Sequence, residues 1–370
     1  MDINAALTFS IFSDVAYFGT LADPTIADRL NASTFSNQFT DISTDAYDPS
    51  TGASRYYVRD SSTVSTPNSS GFAAVTILDR ATGQTTIAFR GTEITSTYNP
   101  DYGADLQIGV LGTAQYQIID MYNYLCRAFA PEGSSVSQYA FTDTTDAPPA
   151  GTHYTTSTID SDESTVTVYH YLKVASTTTG LGLVPNGATV DFTGHSLGGH
   201  LALAASRLFS GLTDQVYTYN APGFMGSSVD AFFNYFPNAA SVFPQGNTYN
   251  VYADDTPSFV SSRWLFNYPG TDVPVTAEGR GIESHGIQFL DESLAVYNLL
   301  SQLDPTLSMS QIQSIIRCAN SSSDRKLEAT IDALRAAATG DARMGECYLG
   351  SLGICSHMPT SVSNSPVSGM

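Results

Sequence analysis

An α/β fold, with a mostly parallel central sheet and helices on both faces, is predicted for this 370-residue chain by three observations. Val190 and Phe192 end an apolar run that reads as a short buried strand. Leu201, Ala202, Leu203, Ala204 and Ala205 read as a helix packed behind it, and a glycine-rich turn separates the two. Two later apolar runs, Val216-Tyr217-Thr218-Tyr219 and Tyr249-Asn250-Val251-Tyr252, read as further strands of the same sheet. The order of a βα elbow followed by two further strands is what an α/β fold supplies.

Residues 3 to 22 carry Ala5, Leu7, Phe9, Ile11, Val15 and Phe18 at mixed spacing, which predicts a helix lying against the sheet. Between Gly71 and Gly91, the apolar segments FAAVTIL and TTIAF flank Asp79-Arg80-Ala81-Thr82-Gly83, a hairpin by its turn residues. From Ala114 to Phe129 a helix is predicted, with Ile118, Met121, Tyr122, Leu125 and Phe129 along one core-facing stripe. Residues 131 to 164 turn rich in Ser, Thr, Asp, Pro and Gly with little periodicity, the pattern of a polar insertion with room for a hairpin. Residues 306 to 318 and 323 to 338 read as helices, and the last dozen residues as a loose tail. The expected organisation is one α/β domain over 1–300 and a helical C-terminal extension over 301–370.

Composition narrows the function. With 15 basic against 35 acidic residues the formal charge is −20, and only Lys173 and Lys326 are lysines, which argues against nucleic acid and against electrostatic attraction to anionic membranes. No stretch approaches the roughly 20 apolar residues of a transmembrane span. The N-terminus lacks the basic region of a Sec signal, so a secreted location, the one expected here, implies a mature start or another export route. Cys126, Cys318, Cys347 and Cys355 fit no zinc spacing, and no metal or organic cofactor is expected. Cys347 and Cys355, with seven residues between them, form a candidate disulfide, whereas Cys126 reads as a small apolar residue inside a helix.

The glycine-rich turn carries the chemistry. In Phe192-Thr193-Gly194-His195-Ser196-Leu197-Gly198-Gly199-His200, Ser196 stands at the apex of a strand-to-helix turn within G-x-S-x-G. The segment reads as the nucleophile elbow of an α/β-hydrolase, where missing Cβ atoms would let the two arms approach and expose the serine oxygen. A serine hydroxyl needs a general base, and the base needs a carboxylate that holds its tautomer. The chain order in this fold is Ser, acid, His, which excludes His153, His170 and His195 as the base. His200, four residues past the serine on the same helix, suits packing or polar contacts there. His285, in the small loop Glu283-Ser284-His285-Gly286 before a helical run, is preferred to His357 in the tail. For the acid, Val251-Tyr252-Ala253-Asp254-Asp255-Thr256-Pro257 offers two adjacent carboxylates after a strand. Neighbours in extended backbone face opposite ways, so one alone points at the base; Asp255 is chosen, with Asp254 as the alternative. Two N–H donors must meet the developing oxyanion: the backbone of Leu197, and Thr92 in Phe89-Arg90-Gly91-Thr92, with Arg90 bracing that loop.

These residues resemble the class 3 lipases, which include fungal-type triacylglycerol lipases, feruloyl esterases and phospholipases A1. Ile87-Ala88-Phe89-Arg90-Gly91-Thr92 is similar to the family's strand and oxyanion loop, and Thr193 to Gly199 to its elbow. Asn220-Ala221-Pro222-Gly223 resembles the turn after its next strand, and Asp254-Asp255-Thr256-Pro257 its acid turn, so the resemblance spans about residues 70 to 300. It implies a Ser196, Asp255, His285 triad with Thr92 and Leu197 as oxyanion hole, and a mobile lid over 93–112 steadied by Asp105. It also implies cleavage of lipid carboxylic esters at a lipid–water interface. A phospholipase A1 acting as a toxin, a non-lipid carboxylesterase, and a catalytically dead binding module are the rival readings. Val229, Phe232, Phe233 and Phe236, then Trp264, Leu265, Phe266 and Tyr268, are either core or an acyl-chain surface. The insertion before the elbow, the short interval from Asp255 to His285, and residues beyond 300 depart from the family pattern.

Overall fold

The computed structural model describes residues 1–17, 56–65, 70–91, 114–161, 164–224, 228–254, 268–277 and 283–319. A seven-stranded sheet organises them: β1 (Tyr56–Asp60), β2 (Ala74–Asp79), β3 (Thr85–Phe89), β7 (Val190–His195), β8 (Thr213–Tyr219), β9 (Thr248–Ala253) and β10 (Thr271–Val275), in that spatial order. From β3 to β10 every neighbouring pair is parallel, while β1 and β2 add an antiparallel edge. The predicted α/β class and mostly parallel sheet are therefore observed. Strands β3 and β7 are buried at every position, as strands covered on both faces must be. The β2–β3 hairpin turns where its residues predict, with Gly83 N–H donating to the Asp79 carbonyl at 2.7 Å.

Helices cover both faces. On one lie α1 (Ile3–Val15), α5 (Ile287–Leu303) and α6 (Met309–Ala319), enclosing a core that includes Phe9, Tyr219, Val275, Leu290 and Tyr297. On the other lie α2 (Ala114–Phe129), α3 (Leu197–Leu208) and α4 (Ser228–Phe233), around Phe89, Phe192, Leu201 and Met121. The mixed apolar spacing of α1 has a cause: it is buried between the sheet and α5, so no single stripe suffices. Its buried hydroxyls are satisfied locally, with Ser10 donating to Leu7 O and Ser13 to Phe9 O, both at 2.9 Å. Asp2 caps the helix by accepting from Asn4 N at 2.9 Å.

The polar stretch read as an insertion over 131–164 belongs to a three-stranded antiparallel sheet that continues to Thr179. Its strands are β4 (Ser135–Thr144), β5 (Thr155–Ser161) and β6 (Ser164–Thr179), ordered β4-β6-β5. Asn123 of α2 ties it down by donating to Tyr139 O at 2.8 Å and accepting from Tyr139 N at 2.7 Å. The Tyr122 and Tyr139 rings meet edge-on at 5.5 Å.

The aromatic stripe after the elbow resolves as core. Phe233 is fully buried and Phe236 nearly so, in a cluster that closes around Arg207 of α3. That guanidinium lies between the Phe233 and Phe243 rings, at 4.5 and 4.8 Å, and pairs with Asp230 at 2.7 Å. Trp264, Leu265 and Phe266, and the predicted helix 323–338, lie outside the described residues. No helix among the described residues is long and apolar enough to cross a membrane.

Candidate active site

The carboxyl ends of β3, β7, β8 and β9 converge on Ser196. This serine holds φ 55° and ψ −126°, a backbone region that side chains other than glycine rarely adopt. Its N–H donates to Tyr219 O of β8 at 2.8 Å, which anchors the turn. The flanking glycines are required by contact: a Cβ on Gly198 would lie 2.0 Å from the Phe89 carbonyl oxygen, and one on Gly91 would lie 2.6 Å from His195 O and 3.3 Å from Ser196 Cβ. Helix and β3 thus meet backbone to backbone, and the loop that opens at Gly91 begins beside the serine. Helix α3 starts at Leu197, so its free N–H groups and the positive end of its dipole face the same spot.

His285 closes the other side. It ends a single 3-10 turn, Glu283–His285, just before α5, and its Nε2 lies 3.1 Å from Ser196 Oγ. Both residues are buried. Burial, with His195 alongside, pushes the His285 imidazole down to about 3, so the ring is neutral at ordinary pH. Its Nδ1 is buried and has no hydrogen-bond partner among the described residues.

Asp254 occupies a different site. Its Oδ2 accepts from Arg317 of α6 at 2.6 and 3.1 Å and from the Thr276 hydroxyl at 3.1 Å. That carboxylate links β9 to the C-terminal helix. Asp254 follows β9, which ends at Ala253, and the acid chosen from the sequence, Asp255, is the next residue in the chain. Asp255, Thr92, Asp105, His357, Cys347, Cys355 and the whole of the expected lid over 93–112 lie outside the described residues.

The other histidines divide by environment. His200 packs on the Phe224 ring at 4.1 Å, and burial pushes it down to about 4. His170, on the three-stranded sheet, lies 2.7 Å from Ser157 Oγ and 2.6 Å from Asp143 Oδ1. This second trio sits on regular strand backbone without a strained elbow or a helix N-terminus behind the serine. His195 is buried beside the nucleophile, with Nε2 2.7 Å from the carbonyl oxygen of His285 and Nδ1 2.8 Å from Tyr17 Oη.

Asn220, also unmarked by the sequence reading beyond its place in the Asn-Ala-Pro-Gly turn, knits the site together. At φ 44° after β8, its Nδ2 donates to Ser284 O and His285 O at 3.1 and 2.9 Å, and its Oδ1 accepts from Ala253 N at 2.9 Å. One side chain thus ties the base loop to the end of the strand that leads into Asp254 and Asp255. An Asn, a residue that tolerates positive φ, directly before Ala-Pro-Gly is the only sequence signal it carried.

The fold is α/β with a mostly parallel sheet, and Ser196 stands on a strained strand-to-helix turn at the carboxyl end of a central strand. No family model and no curated protein sequence matches the chain. Among solved structures, it is similar to an α/β hydrolase enzyme from a metagenome of sediments of the Mar Chica lagoon, Morocco. The identity is 16% over 32% of this chain and 63% of that one, with a TM-score of 0.21. It is also similar to a Rhizomucor miehei lipase propeptide complex carrying a two-residue deletion, at 14% identity over 74% of this chain and 67% of that one, with a TM-score of 0.30. The chain thus spans under two thirds of the length of the first of these.

Proposed function

We propose that this chain is a serine hydrolase that cleaves carboxylic esters of lipids through an acyl-enzyme, as a triacylglycerol lipase or esterase. The observation that carries the reading is the 3.1 Å approach of His285 Nε2 to Ser196 Oγ at a strained strand-to-helix elbow. Ser196 attacks the ester carbonyl and passes its proton to His285 Nε2. The oxyanion that forms is held by the N–H of Leu197, at the start of α3, and by Thr92. His285 then protonates the leaving alcohol, and the same base activates the water that hydrolyses the acyl-serine.

For His285 to accept at Nε2, its proton must sit on the buried Nδ1, and a donor left there without an acceptor costs about 1–3 kcal/mol. Asp255 is the acceptor in this reading, since Asp254 is engaged by Arg317 and Thr276. The lipid preference rests on the resemblance of the elbow, the oxyanion strand and the acid turn to the class 3 lipases.

A substrate panel tests the proposal: esters of graded acyl length and headgroup, each assayed above and below its solubility limit. Fatty acid release from triacylglycerol, rising sharply once an interface forms, is the expected result. Faster release from phosphatidylcholine or phosphatidylglycerol would replace it with the phospholipase A1 reading, and turnover confined to short aryl esters with a non-lipid esterase. No release from any ester would overturn it.

A further inference from the structure

Two donors meet at one acceptor behind the base. The carbonyl oxygen of His285 lies 2.7 Å from His195 Nε2 and 2.9 Å from Asn220 Nδ2. A carbonyl has two lone pairs and can only accept, so both nitrogens donate and the oxygen is saturated. His195 Nε2 must therefore carry a proton. Burial pushes this ring down to about 4, so it holds no second one at neutral pH, and its Nδ1 is an acceptor. The Tyr17 hydroxyl, 2.8 Å away, is then the donor, and the chain of hydrogen bonds has one direction: Tyr17 to His195, His195 to the His285 backbone.

The placement gives that chain a use. His195 is the residue before Ser196, on the last position of β7, so its side chain links the nucleophile's own strand to the backbone of the base. The peptide of His285 cannot drift from the elbow without breaking this bond, and the separation between Ser196 and His285 is set across the same few atoms. Tyr17 comes from just beyond α1, and its hydroxyl lies where a Cβ on Gly91 would touch it, at 2.2 Å, so it also borders the loop leading to Thr92.

We propose that His195, with its tautomer set by the Tyr17 hydroxyl, is a positioning residue that ties the base His285 to the nucleophile strand and fixes their separation. This rests on the hydrolase reading, in which that separation is the one across which the proton moves.

The test compares His195→Phe, which keeps a buried ring and removes the donor, with His195→Gln, whose amide nitrogen falls at the same number of bonds from Cα as Nε2. On a soluble ester, His195→Phe is expected to lower kcat about 100-fold with KM within about threefold, the cost of misplacing reacting groups by about 1 Å. His195→Gln is expected to recover at least tenfold of that loss, and Tyr17→Phe to cost about threefold to tenfold in kcat. Melting curves accompany each variant. Equal losses in His195→Phe and His195→Gln, or a His195→Phe enzyme within twofold of wild type, would overturn the proposal.

Histidine-labelled nitrogen NMR of the full chain supplies a readout independent of turnover. A neutral His195 protonated at Nε2 is expected at pH 7, with the Nε2-to-carbonyl bond lost and the His285 signals displaced in His195→Phe. The opposite tautomer, or His285 signals unmoved, would overturn the positioning role whatever the activity. If the NMR result holds while wild-type protein hydrolyses no ester, the hydrolase reading fails and the hydrogen-bonded arrangement stands.

Discussion

Gly198→Ala puts the geometry of the elbow to a direct test. The added methyl would lie 2.0 Å from Phe89 O, 2.8 Å from Phe89 C and 2.9 Å from Arg90 C, all of them backbone atoms. Real Cβ contacts essentially never fall below 3.0 Å, so helix and strand must part by about 1 Å. β3 cannot supply that movement, because it is paired to β2 on one side and to β7 on the other. The start of α3 must move instead and carry Ser196 with it, stretching the 3.1 Å approach to His285 beyond hydrogen-bond range. Overpacking of this kind costs about 1–3 kcal/mol, and a displacement near 1 Å lowers rates about 100-fold. The assay pairs a melting curve with the rate of labelling by a fluorophosphonate. Gly211→Ala, where no atom lies within 4 Å of the new methyl, is the control and should stay within about 0.5 kcal/mol of wild type. A Gly198→Ala protein that melts with wild type and labels at an undiminished rate would refute the argument.

Other expected outcomes follow from the same contacts. Asp255→Asn should lower turnover by roughly 10⁴-fold, as loss of a triad carboxylate does. Asp254→Asn should leave labelling intact and cost about 1–3 kcal/mol in melting experiments through its weakened tie to Arg317; the reverse pattern would exchange the two aspartates. Asp191, at the start of β7, is pushed up to about 7 chiefly by burial. Its native form keeps a proton that the unfolded chain has released, so its stabilising effect is complete below about pH 3.8 and is lost as pH rises to 7. Asp191→Asn should thus raise stability by up to roughly 4 kcal/mol at pH 8 and by little at pH 4, in paired denaturant titrations. Ser157, despite its contacts with His170 and Asp143, should take up no fluorophosphonate when modified peptides are mapped by mass spectrometry. A label there would show that the trio alone suffices for reactivity.

What the sequence revealed, and what it hid, divides on physical lines. β7, β8, β9 and the β2–β3 hairpin were legible because central strands are continuous apolar runs and turns need particular residues. The edge strands β1 and β10 were not: both are short, and Pro274 within β10 argues against a strand except at an edge, where it in fact lies. The three-stranded sheet was hidden by its Thr and Ser content, since alternation is faint where both faces are polar. In the site, Ser196 and His285 were legible through residue type, motif and chain order. Asn220 and Tyr17 were not, and His195 was excluded as the base and given no other part. All three act on backbone N–H or carbonyl groups or on one another across 33 to 178 positions in sequence, and no spacing rule reports such bonds.

The most direct test of the central claim is fluorophosphonate labelling of the full chain, with the modified residue mapped by mass spectrometry. A single phosphonylated residue, Ser196, is expected, with labelling abolished in Ser196→Ala, strongly slowed in His285→Gln and unchanged in His357→Gln. An unlabelled wild-type protein, or a label that persists in Ser196→Ala, would contradict it.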